Sequence, residues 1–258
     1  MPGNDLNITA IPAFRDNYIW LLSTGGKTCA VVDPGDADPV LEVVEKQGLE
    51  LRYILLTHHH PDHAGGVPAL IERYPVRVFG PADQRIPFVH QVCRDGDRFQ
   101  LPGLDAEFRV LEIPAHTRSH IAFYGQNVLF SGDTLFSVGC GRLFEGTPAD
   151  MQASLDKLAA LPGDTKVYCG HEYTQSNCAF ALLVEPDNRV LQARAREVDR
   201  LRATGQITLP SRLSDELASN PFLRTREKSV VEAARKLDPG AKPGISTMAV
   251  IRAWKDRF

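Results

Sequence analysis

The chain has 258 residues, of which 43% are hydrophobic, so it is long enough to bury one large core and to carry a smaller additional unit. Its formal net charge is -3 and no block of lysine and arginine stands out, which argues against nucleic acid as a partner. No apolar stretch approaches the roughly 18 residues of a membrane span, and the N-terminus lacks a basic region followed by an apolar one, so we expect a cytoplasmic protein with no membrane partner.

The first two-thirds of the chain alternate short apolar runs with amphipathic ones, a pattern typical of an α/β domain. The apolar runs predict strands at 8–11, 19–22, 30–33, 53–57, 76–79, 108–113, 121–124, 128–130 and 166–169. The amphipathic runs predict helices at 39–46, 66–74 and 149–161, the last of which follows Thr147-Pro148. Two mixed sheets between helices are the architecture that this order favours.

The pattern changes after about Tyr173, where helical spacing dominates and β-branched runs become rare. Helices are predicted around 178–184, 188–203, 226–237 and 246–258. The sequence therefore predicts an α/β domain at 1–172 and a helical domain at 173–258.

Residues 57–66 read Thr-His-His-His-Pro-Asp-His-Ala-Gly-Gly and directly follow a predicted strand. Residues two apart on an extended chain point the same way, so His58 and His60 are predicted to bind one ion. Asp62 and His63 fall beyond the strand end, where a turn can direct them to a second ion. Imidazole and carboxylate are suitable ligands for zinc or iron, and the motif therefore predicts two metals.

Three further candidate ligands, His116, Asp133 and His171, each follow a predicted strand. Together with the motif they give seven ligands, enough for two ions that share one carboxylate. The alternative, a surface histidine tract or a fortuitous metal trap, is disfavoured because the tract follows an apolar strand and His or Asp recurs at three later strand ends. His59 is expected to face away and to have a structural role.

Thr57 and Asp33 are candidates for orienting the ligand imidazoles through hydrogen bonds. A turn-forming role for Asp33 within Asp33-Pro34-Gly35 agrees equally well with the sequence.

The pattern H-x-H-x-D-H, followed by separated His, Asp and His, resembles the metallo-β-lactamase superfamily. Several further segments resemble the hydroxyacylglutathione hydrolases, or glyoxalase II: Asp16-Asn17-Tyr18, Gly132-Asp133-Thr134-Leu135-Phe136, Gly139-Cys140-Gly141-Arg142, Phe144-Glu145-Gly146-Thr147, Cys169-Gly170-His171-Glu172-Tyr173-Thr174 and Asn220-Pro221-Phe222. The resemblance implies an αββα sandwich with a C-terminal helical domain.

The resemblance also implies a role for each ligand. His58, His60 and His116 would hold the first ion, Asp62, His63 and His171 the second, and Asp133 would bridge both as the catalytic ligand. Two such ions lower the pKa of a shared water towards about 7, so that a bridging hydroxide can attack a thioester carbonyl. Zinc is the expected metal, with iron and manganese as alternatives.

In the same family, cationic and tyrosine side chains hold the glutathione moiety, which carries two carboxylates. The matching positions here are Arg142, Tyr173, Arg252 and Lys255. Taken alone, Arg252 and Lys255 would more often form a solvated helix face. Phe144 departs from a tyrosine common in some relatives, and so removes a hydroxyl donor.

The implied reaction is hydrolysis of S-(2-hydroxyacyl)glutathione, chiefly S-D-lactoylglutathione, to D-lactate and glutathione, the second step of methylglyoxal detoxification. A lactonase or a β-lactamase of the same superfamily is the alternative within enzymes. A β-lactamase usually has Cys at the position of Asp133, and neither rival needs Arg252 and Lys255. A non-catalytic metal-loaded domain is disfavoured by the complete ligand set. A monomer acting on a small molecule is expected.

Overall fold

The computed structural model describes residues 6–258. The first five residues, which belong to the N-terminal segment used above to predict a cytoplasmic protein, lie outside the described residues. The described residues form two compact units: 6–112 with Ser119–Gly132, and Ile113–Arg118 with Asp133–Phe258. These units differ from the domains 1–172 and 173–258 expected from sequence, and that domain boundary stays a prediction. The stretch that starts at Asp133 clusters with the helices because buried polar side chains of the helical region bind its backbone.

The first unit combines ten strands and three helices among its described residues. The strands are β1 (Asn7–Ala13), β2 (Asn17–Ser23), β3 (Thr28–Val32), β4 (Glu50–Leu55), β5 (Arg77–Gly80), β6 (Gln91–Val92), β7 (Arg98–Leu101), β8 (Ala106–Glu112), β9 (Ile121–Gly125) and β10 (Val128–Gly132). The helices are α1 (Asp38–Gln47), α2 (Pro61–Ala64) and α3 (Val67–Arg73).

Strands β1 to β6 form one sheet in sequence order. The pairs β1–β2 and β2–β3 are antiparallel, whereas β3 to β6 are parallel. Parallel neighbours need a crossover, and α1 and α3 lie in the connections from β3 to β4 and from β4 to β5. Val40 and Val44 of α1, with Val67 and Leu70 of α3, are buried in the same apolar cluster as this sheet. Burial by these helices explains why the central strands read as continuous apolar runs.

Strands β7 to β10 follow one another in the order β10-β9-β8-β7 and pair in antiparallel fashion. Aromatic rings fill the space between this group and the first sheet. Phe79 of β5 stacks on Phe99 of β7 with ring centroids 4.3 Å apart, and Phe99 meets the edge of Phe123 at 5.8 Å. The two sheets of this unit therefore share an aromatic core.

The second unit is mainly helical in the part that the structure describes. Its elements are β11 (Leu135–Phe136), β12 (Gly139–Cys140), α4 (Pro148–Ala159), β13 (Lys166–Cys169), α5 (Thr174–Val184), α6 (Arg189–Ala203), β14 (Ser211–Arg212), α7 (Leu213–Ser219), α8 (Lys228–Arg235) and α9 (Ile245–Arg257). Helix α5 packs on α6 and α8, and α9 packs on α4. Phe180 of α5 stacks on Phe222, with 6.1 Å between ring centroids, in the core of this helical group.

All nine predicted strands are present, as β1 to β5, β8 to β10 and β13, and the predicted helices correspond to α1, α3, α4, α5, α6, α8 and α9. Sequence reasoning missed β7, in which apolar and polar residues alternate, and also α2, α7 and the two-residue strands. Within residues 6–258, no helix has the length and apolar character needed to cross a bilayer.

Helix α4 begins with a reciprocal hydrogen-bonded cap. The Thr147 hydroxyl accepts from the Asp150 amide at 3.3 Å, and the Asp150 carboxylate accepts from the Thr147 amide at 2.8 Å. Pro148 occupies the first turn, where its missing N–H costs nothing.

We expect Thr147→Ala to lower the free energy of unfolding by about 0.5 to 2 kcal/mol, because it removes the cap acceptor. Urea denaturation followed by circular dichroism measures the change. Thr147→Ser keeps the hydroxyl and is the control, expected to stay close to wild type. Equal stability of the alanine and serine variants would contradict this account of the helix start.

Candidate metal centre

The carboxyl ends of three parallel strands meet at one edge of the first sheet. Val32 pairs with Leu55, and Leu55 pairs with Phe79, so β3, β4 and β5 end side by side. The residues that follow are Asp33 after β3, the histidine run after β4, and the loop of Asp83 after β5. This register explains why polar side chains from three separate parts of the sequence lie together.

The histidine run lies beyond the end of β4, yet alternate rings still come together. His58 Nε2 and His60 Nδ1 are 3.1 Å apart. His59 reaches the other way, with its Nδ1 3.6 Å from Asp83 Oδ2. This is the arrangement that alternation predicts, and it gives His59 a partner outside the ligand set.

Asp83 stabilises this edge of the sheet, and its side chain is only 6% exposed. Its carboxylate accepts from the Arg85 side chain at 2.7 and 2.8 Å and from the Ser119 hydroxyl at 2.6 Å. The hydrogen bonds from Arg85 hold the pKa of Asp83 well below its usual range. A carboxylate that is negatively charged at neutral pH therefore faces His59.

The next two candidate ligands lie on the single turn of α2, which Pro61 starts. His63 Nε2 lies 3.5 Å from Asp62 Oδ2. The Asn17 amide donates to Asp62 Oδ2 at 3.0 Å and to the Asp62 carbonyl at 3.3 Å. Asn17 thus fixes both the backbone and the carboxylate of Asp62.

Asp33 orients two of the imidazoles, as one of the two sequence interpretations expected. Its Oδ2 lies 2.7 Å from the Thr57 hydroxyl, which donates to it, and 3.1 Å from His63 Nδ1. The same hydroxyl lies 3.0 Å from His58 Nδ1. A ring whose Nδ1 donates to such a partner presents Nε2 as its ligand atom, so His58 and His63 are both set for metal binding.

In the second unit one carboxylate oxygen lies beside two imidazoles. Asp133 Oδ2 is 3.5 Å from His116 Nε2 and 3.3 Å from His171 Nε2, and all three residues are buried. His116 Nδ1 donates to the Arg142 carbonyl at 2.9 Å. The His116 ring therefore also presents Nε2.

These spacings fit a divalent ion. Two ligand atoms bound to one tetrahedral zinc ion at about 2.0 to 2.1 Å lie roughly 3.3 Å apart. The measured spacings within each unit are 3.1 to 3.5 Å between imidazole nitrogens or between an imidazole nitrogen and a carboxylate oxygen. Each spacing is short enough for one ion to bind both atoms, and the nitrogen and oxygen donors match zinc or iron.

Comparison with known proteins identifies the family. The model of the metallo-β-lactamase superfamily matches residues 13–171, and that of the hydroxyacylglutathione hydrolase C-terminus matches residues 172–258. Hydroxyacylglutathione hydrolases of Photobacterium profundum and Pseudomonas fluorescens are each 52% identical to the chain, over 98% of its length and 100% of theirs. The chain belongs to the hydroxyacylglutathione hydrolase family.

Solved structures agree with this family's fold. ETHE1 from Myxococcus xanthus superimposes with a TM-score of 0.65 at 21% identity, over 97% of each chain. The crystal structure of TTHA1623 in a di-iron-bound form has a TM-score of 0.53 at 30% identity, covering 64% of this chain and 91% of that one. The predicted sandwich fold and helical C-terminal region are confirmed, and the superfamily with its His and Asp groups supports divalent metal binding.

Two of the residues predicted to hold glutathione lie beside the ligands of the second unit. Tyr173 stacks on His171, with ring centroids 4.6 Å apart and an angle of 8° between the planes. Arg142 has an exposed side chain, with Nε 3.6 Å from Asp256 Oδ1. Phe144 is exposed, and its ring lies edge-on to His116 at 5.2 Å.

The two cations of α9 differ in their surroundings. Lys255 is half-buried, donates to the Ser176 carbonyl at 3.2 Å and lies over the Phe180 ring. Arg252 is only 4% exposed, and its Nη1 donates to the Cys140 carbonyl at 2.7 Å. The guanidinium of Arg252 is thus engaged by the protein itself, and its contact with substrate stays a prediction.

Sequence reasoning gave no role to Asn17 or Asp83. Asn17 lies in the family segment Asp16-Asn17-Tyr18, so a signal was available. Asp83 lies in a loop that shows neither a hydrophobic pattern nor a recognisable motif. It comes close to His59 because β4 and β5 are parallel neighbours.

We expect Asp33→Ala to weaken metal binding about 10- to 100-fold, because His63 and Thr57 lose the carboxylate that orients them. Metal retained after dialysis against graded chelator measures the change. Asp36→Ala is the matched control, since its carboxylate accepts from the Asp38 amide. Wild-type metal retention in the Asp33 variant would show that Asp33 acts only as a turn-forming residue within Asp33-Pro34-Gly35.

Proposed function

We propose that the protein hydrolyses S-(2-hydroxyacyl)glutathione thioesters, chiefly S-D-lactoylglutathione, to D-lactate and glutathione, as the second step of methylglyoxal detoxification. The observation that carries the proposal is the match to hydroxyacylglutathione hydrolases over nearly the whole chain. The position of Asp133 Oδ2, within 3.5 Å of His116 and 3.3 Å of His171, supports the same chemistry.

The proposed centre holds two divalent ions. His58, His60 and His116 bind the first, Asp62, His63 and His171 bind the second, and Asp133 is shared. The spacings within each unit support this assignment. Zinc is the proposed metal. Iron is the first alternative because a 30% identical relative was crystallised in a di-iron-bound form, and manganese is the second.

When bound, such ions lower the pKa of a coordinated water and polarise the thioester carbonyl. The residues of the chain supply orientation. Asp33 and Thr57 hold His58 and His63, and Asn17 holds Asp62. The leaving group is a thiolate, which departs with far less help than an amine, so no strong general acid is required.

The glutathione moiety is proposed to lie against Tyr173, Arg142 and Lys255, with Arg252 as the fourth predicted contact. The exposed guanidinium of Arg142 and the half-buried ammonium of Lys255 support charge-assisted contacts with the tripeptide carboxylates. Lys255 uses one of its three donors for Ser176, which leaves donors for a ligand.

The protein is proposed to act as a cytoplasmic monomer on this small molecule, without a nucleic acid or membrane partner. Its five cysteines are buried free thiols, which supports a reducing compartment.

The assay that tests the proposal compares S-D-lactoylglutathione, a lactone and a β-lactam with the same purified protein. Efficient turnover of the first alone is expected. Preferred turnover of the lactone would overturn the proposal in favour of a lactonase.

We expect the wild-type protein to hold about two ions per chain and Asp133→Ala to lose at least one of them together with hydrolysis, because a shared ligand disappears. Elemental analysis and the thioester assay measure both. His59→Ala is the comparison, since its partner is Asp83, and it should keep both metals and much of the activity. Unchanged metal content and turnover after Asp133→Ala would remove this carboxylate from the bridge.

Lys255 gives a prediction about pH. Burial, together with the positive charges of Arg252 and Arg142, lowers the pKa of Lys255 to about 8. The ammonium is charged below that pH and loses its charge above it. The KM for lactoylglutathione should therefore rise as the pH passes 8, whereas the rate with a small thioester that lacks the tripeptide should not follow this titration.

Lys255→Gln should lower kcat/KM for lactoylglutathione about tenfold to more than a hundredfold at pH 7, the effect of about 1.5 to 3 kcal/mol for a charge-assisted contact. It should also flatten the rise in KM. Lys228→Gln, a change at an exposed lysine paired with Glu232, is the control. An equal loss on the small thioester would mean that Lys255 supports the fold rather than the ligand.

A further inference from the structure

Residues 133–142 form a short hairpin, called here the bridging hairpin, that connects two parts of the metal centre. It begins with Asp133 and ends with Arg142, whose carbonyl accepts from His116 Nδ1 at 2.9 Å. Its two ends are fixed together, because the Gly141 amide donates to the Thr134 carbonyl at 3.2 Å. A Cβ added at Gly141 would lie 1.9 Å from the Asp133 carbonyl oxygen, so this approach requires glycine. A shift of the hairpin would therefore displace Asp133 and the acceptor of His116 together.

The turn of the bridging hairpin has an unfavourable backbone conformation. Phe136 pairs with Gly139, which leaves Ser137 and Val138 as the two turn residues. Val138 has a φ of 56°, in the left-handed region that a β-branched residue rarely adopts. Turns with a positive φ normally use glycine or asparagine at such a position. The sequence of the turn does not favour its own geometry, so contacts from outside the hairpin must stabilise it.

The helical region supplies those contacts in two ways: the Val138 side chain is buried in an apolar cluster with Cys178, Ala181 and Leu191, and buried polar side chains bind the backbone of the turn. Glu216 of α7 is 1% exposed, and its Oε2 accepts from the Val138 amide at 2.7 Å. The Asn220 amide donates to the carbonyls of Phe136 and Gly139 at 3.2 and 3.0 Å, and to Glu216 Oε2 at 3.1 Å.

A second amide contact reaches the other turn residue. The Asn177 amide donates to the Ser137 carbonyl at 3.0 Å. The polar groups of the turn are thus bound by side chains 40 to 84 positions away in the sequence.

We propose that Glu216 is a positioning residue for the metal centre, which it serves by holding Val138 in its strained conformation and so fixing the bridging hairpin. This inference rests on the proposed metal centre. It assigns to the helical region a role in shaping the metal site that is separate from any contact with glutathione. Glu216 touches no reacting atom in this account and acts through the hairpin backbone.

The test first removes the Glu216 carboxylate, which accepts from the Val138 amide, and then removes the backbone strain at residue 138. Glu216→Ala should weaken metal binding about tenfold or more, as measured by metal retained against graded chelator. It should lower the activity on lactoylglutathione and on a small thioester by the same factor. Adding Val138→Gly should restore much of both, because glycine adopts a positive φ without a steric penalty.

Glu185→Ala is the matched control for the loss of a buried carboxylate. Glu185 is 3% exposed and binds Arg224 at 2.8 Å and Ser229 at 2.6 Å, in the same helical region. This variant should lose stability but keep wild-type metal affinity. An equal loss of metal affinity in the two variants would overturn the proposal, because general destabilisation would then explain both.

Amide hydrogen exchange of Gly141 in the metal-free protein gives a readout that does not depend on the reaction. Exchange should be faster in Glu216→Ala and slower again in the double variant. If the wild type fails to cleave lactoylglutathione, the proposed function falls, while this measurement still decides the role of Glu216.

Wild-type exchange and metal retention in a folded Glu216→Ala protein would overturn the inference. So would a double variant that shows no recovery. If the single variant does not fold, recovery of folded, metal-retaining protein in the double variant supports the inference, and a double variant that is equally unfolded overturns it.

Discussion

In three of the proposed ligand histidines, Nδ1 lies within hydrogen-bond distance of a protein oxygen, which leaves Nε2 for a metal ion. Much of the local structure serves to place these three oxygens. His63 Nδ1 lies beside Asp33, His58 Nδ1 beside Thr57, and His116 Nδ1 beside the Arg142 carbonyl. Asp33 is within reach because β3 and β4 run parallel and end side by side. The Arg142 carbonyl is available because the bridging hairpin turns the chain back. Without these partners the rings could rotate away from the ion, so strand register and hairpin geometry both serve the ligand atoms.

The sequence predicted the helices and strands in which a pattern of apolar residues or a clear start and stop signal could be recognised. Helix α4 shows a cap, a first-turn proline and a terminating Pro-Gly pair, and the apolar strands β2 and β3 could be recognised because both faces are buried. Strand β7 offers no continuous apolar run, because its buried Phe99 and Leu101 alternate with Arg98 and Gln100. Helix α7 is short, and polar residues outnumber apolar ones in its sequence LSDELAS. The bridging hairpin contains strands of two residues with no turn-forming glycine at Val138, and no local signal predicts it.

The candidate site shows the same limit. The metal motif is local, so its candidate ligands could be proposed from residue type and spacing. Arg252 and Lys255 are three residues apart, which places their side chains about 60° apart around a helix. That angle is small enough to suggest one face and large enough for Arg252 to be buried against the Cys140 carbonyl while Lys255 stays half-exposed. Glu216 lies 78 residues from Val138, and no spacing rule connects a buried carboxylate to a turn so far away in the sequence.

The helical region therefore has two proposed roles: it supports the bridging hairpin, and it contributes a contact to the substrate. An isolated hairpin of this size is marginal at best in water, and a strained valine in its turn makes it less stable still. Asn177 of α5, Glu216 and Asn220 at α7, and Arg252 of α9 each bind its backbone. Helix α9 thus holds the hairpin through Arg252 and presents Lys255 one turn later. The proposed substrate contact of Lys255 and the support of the bridging hairpin both depend on the packing of α9, so changes in that packing would alter KM and kcat together.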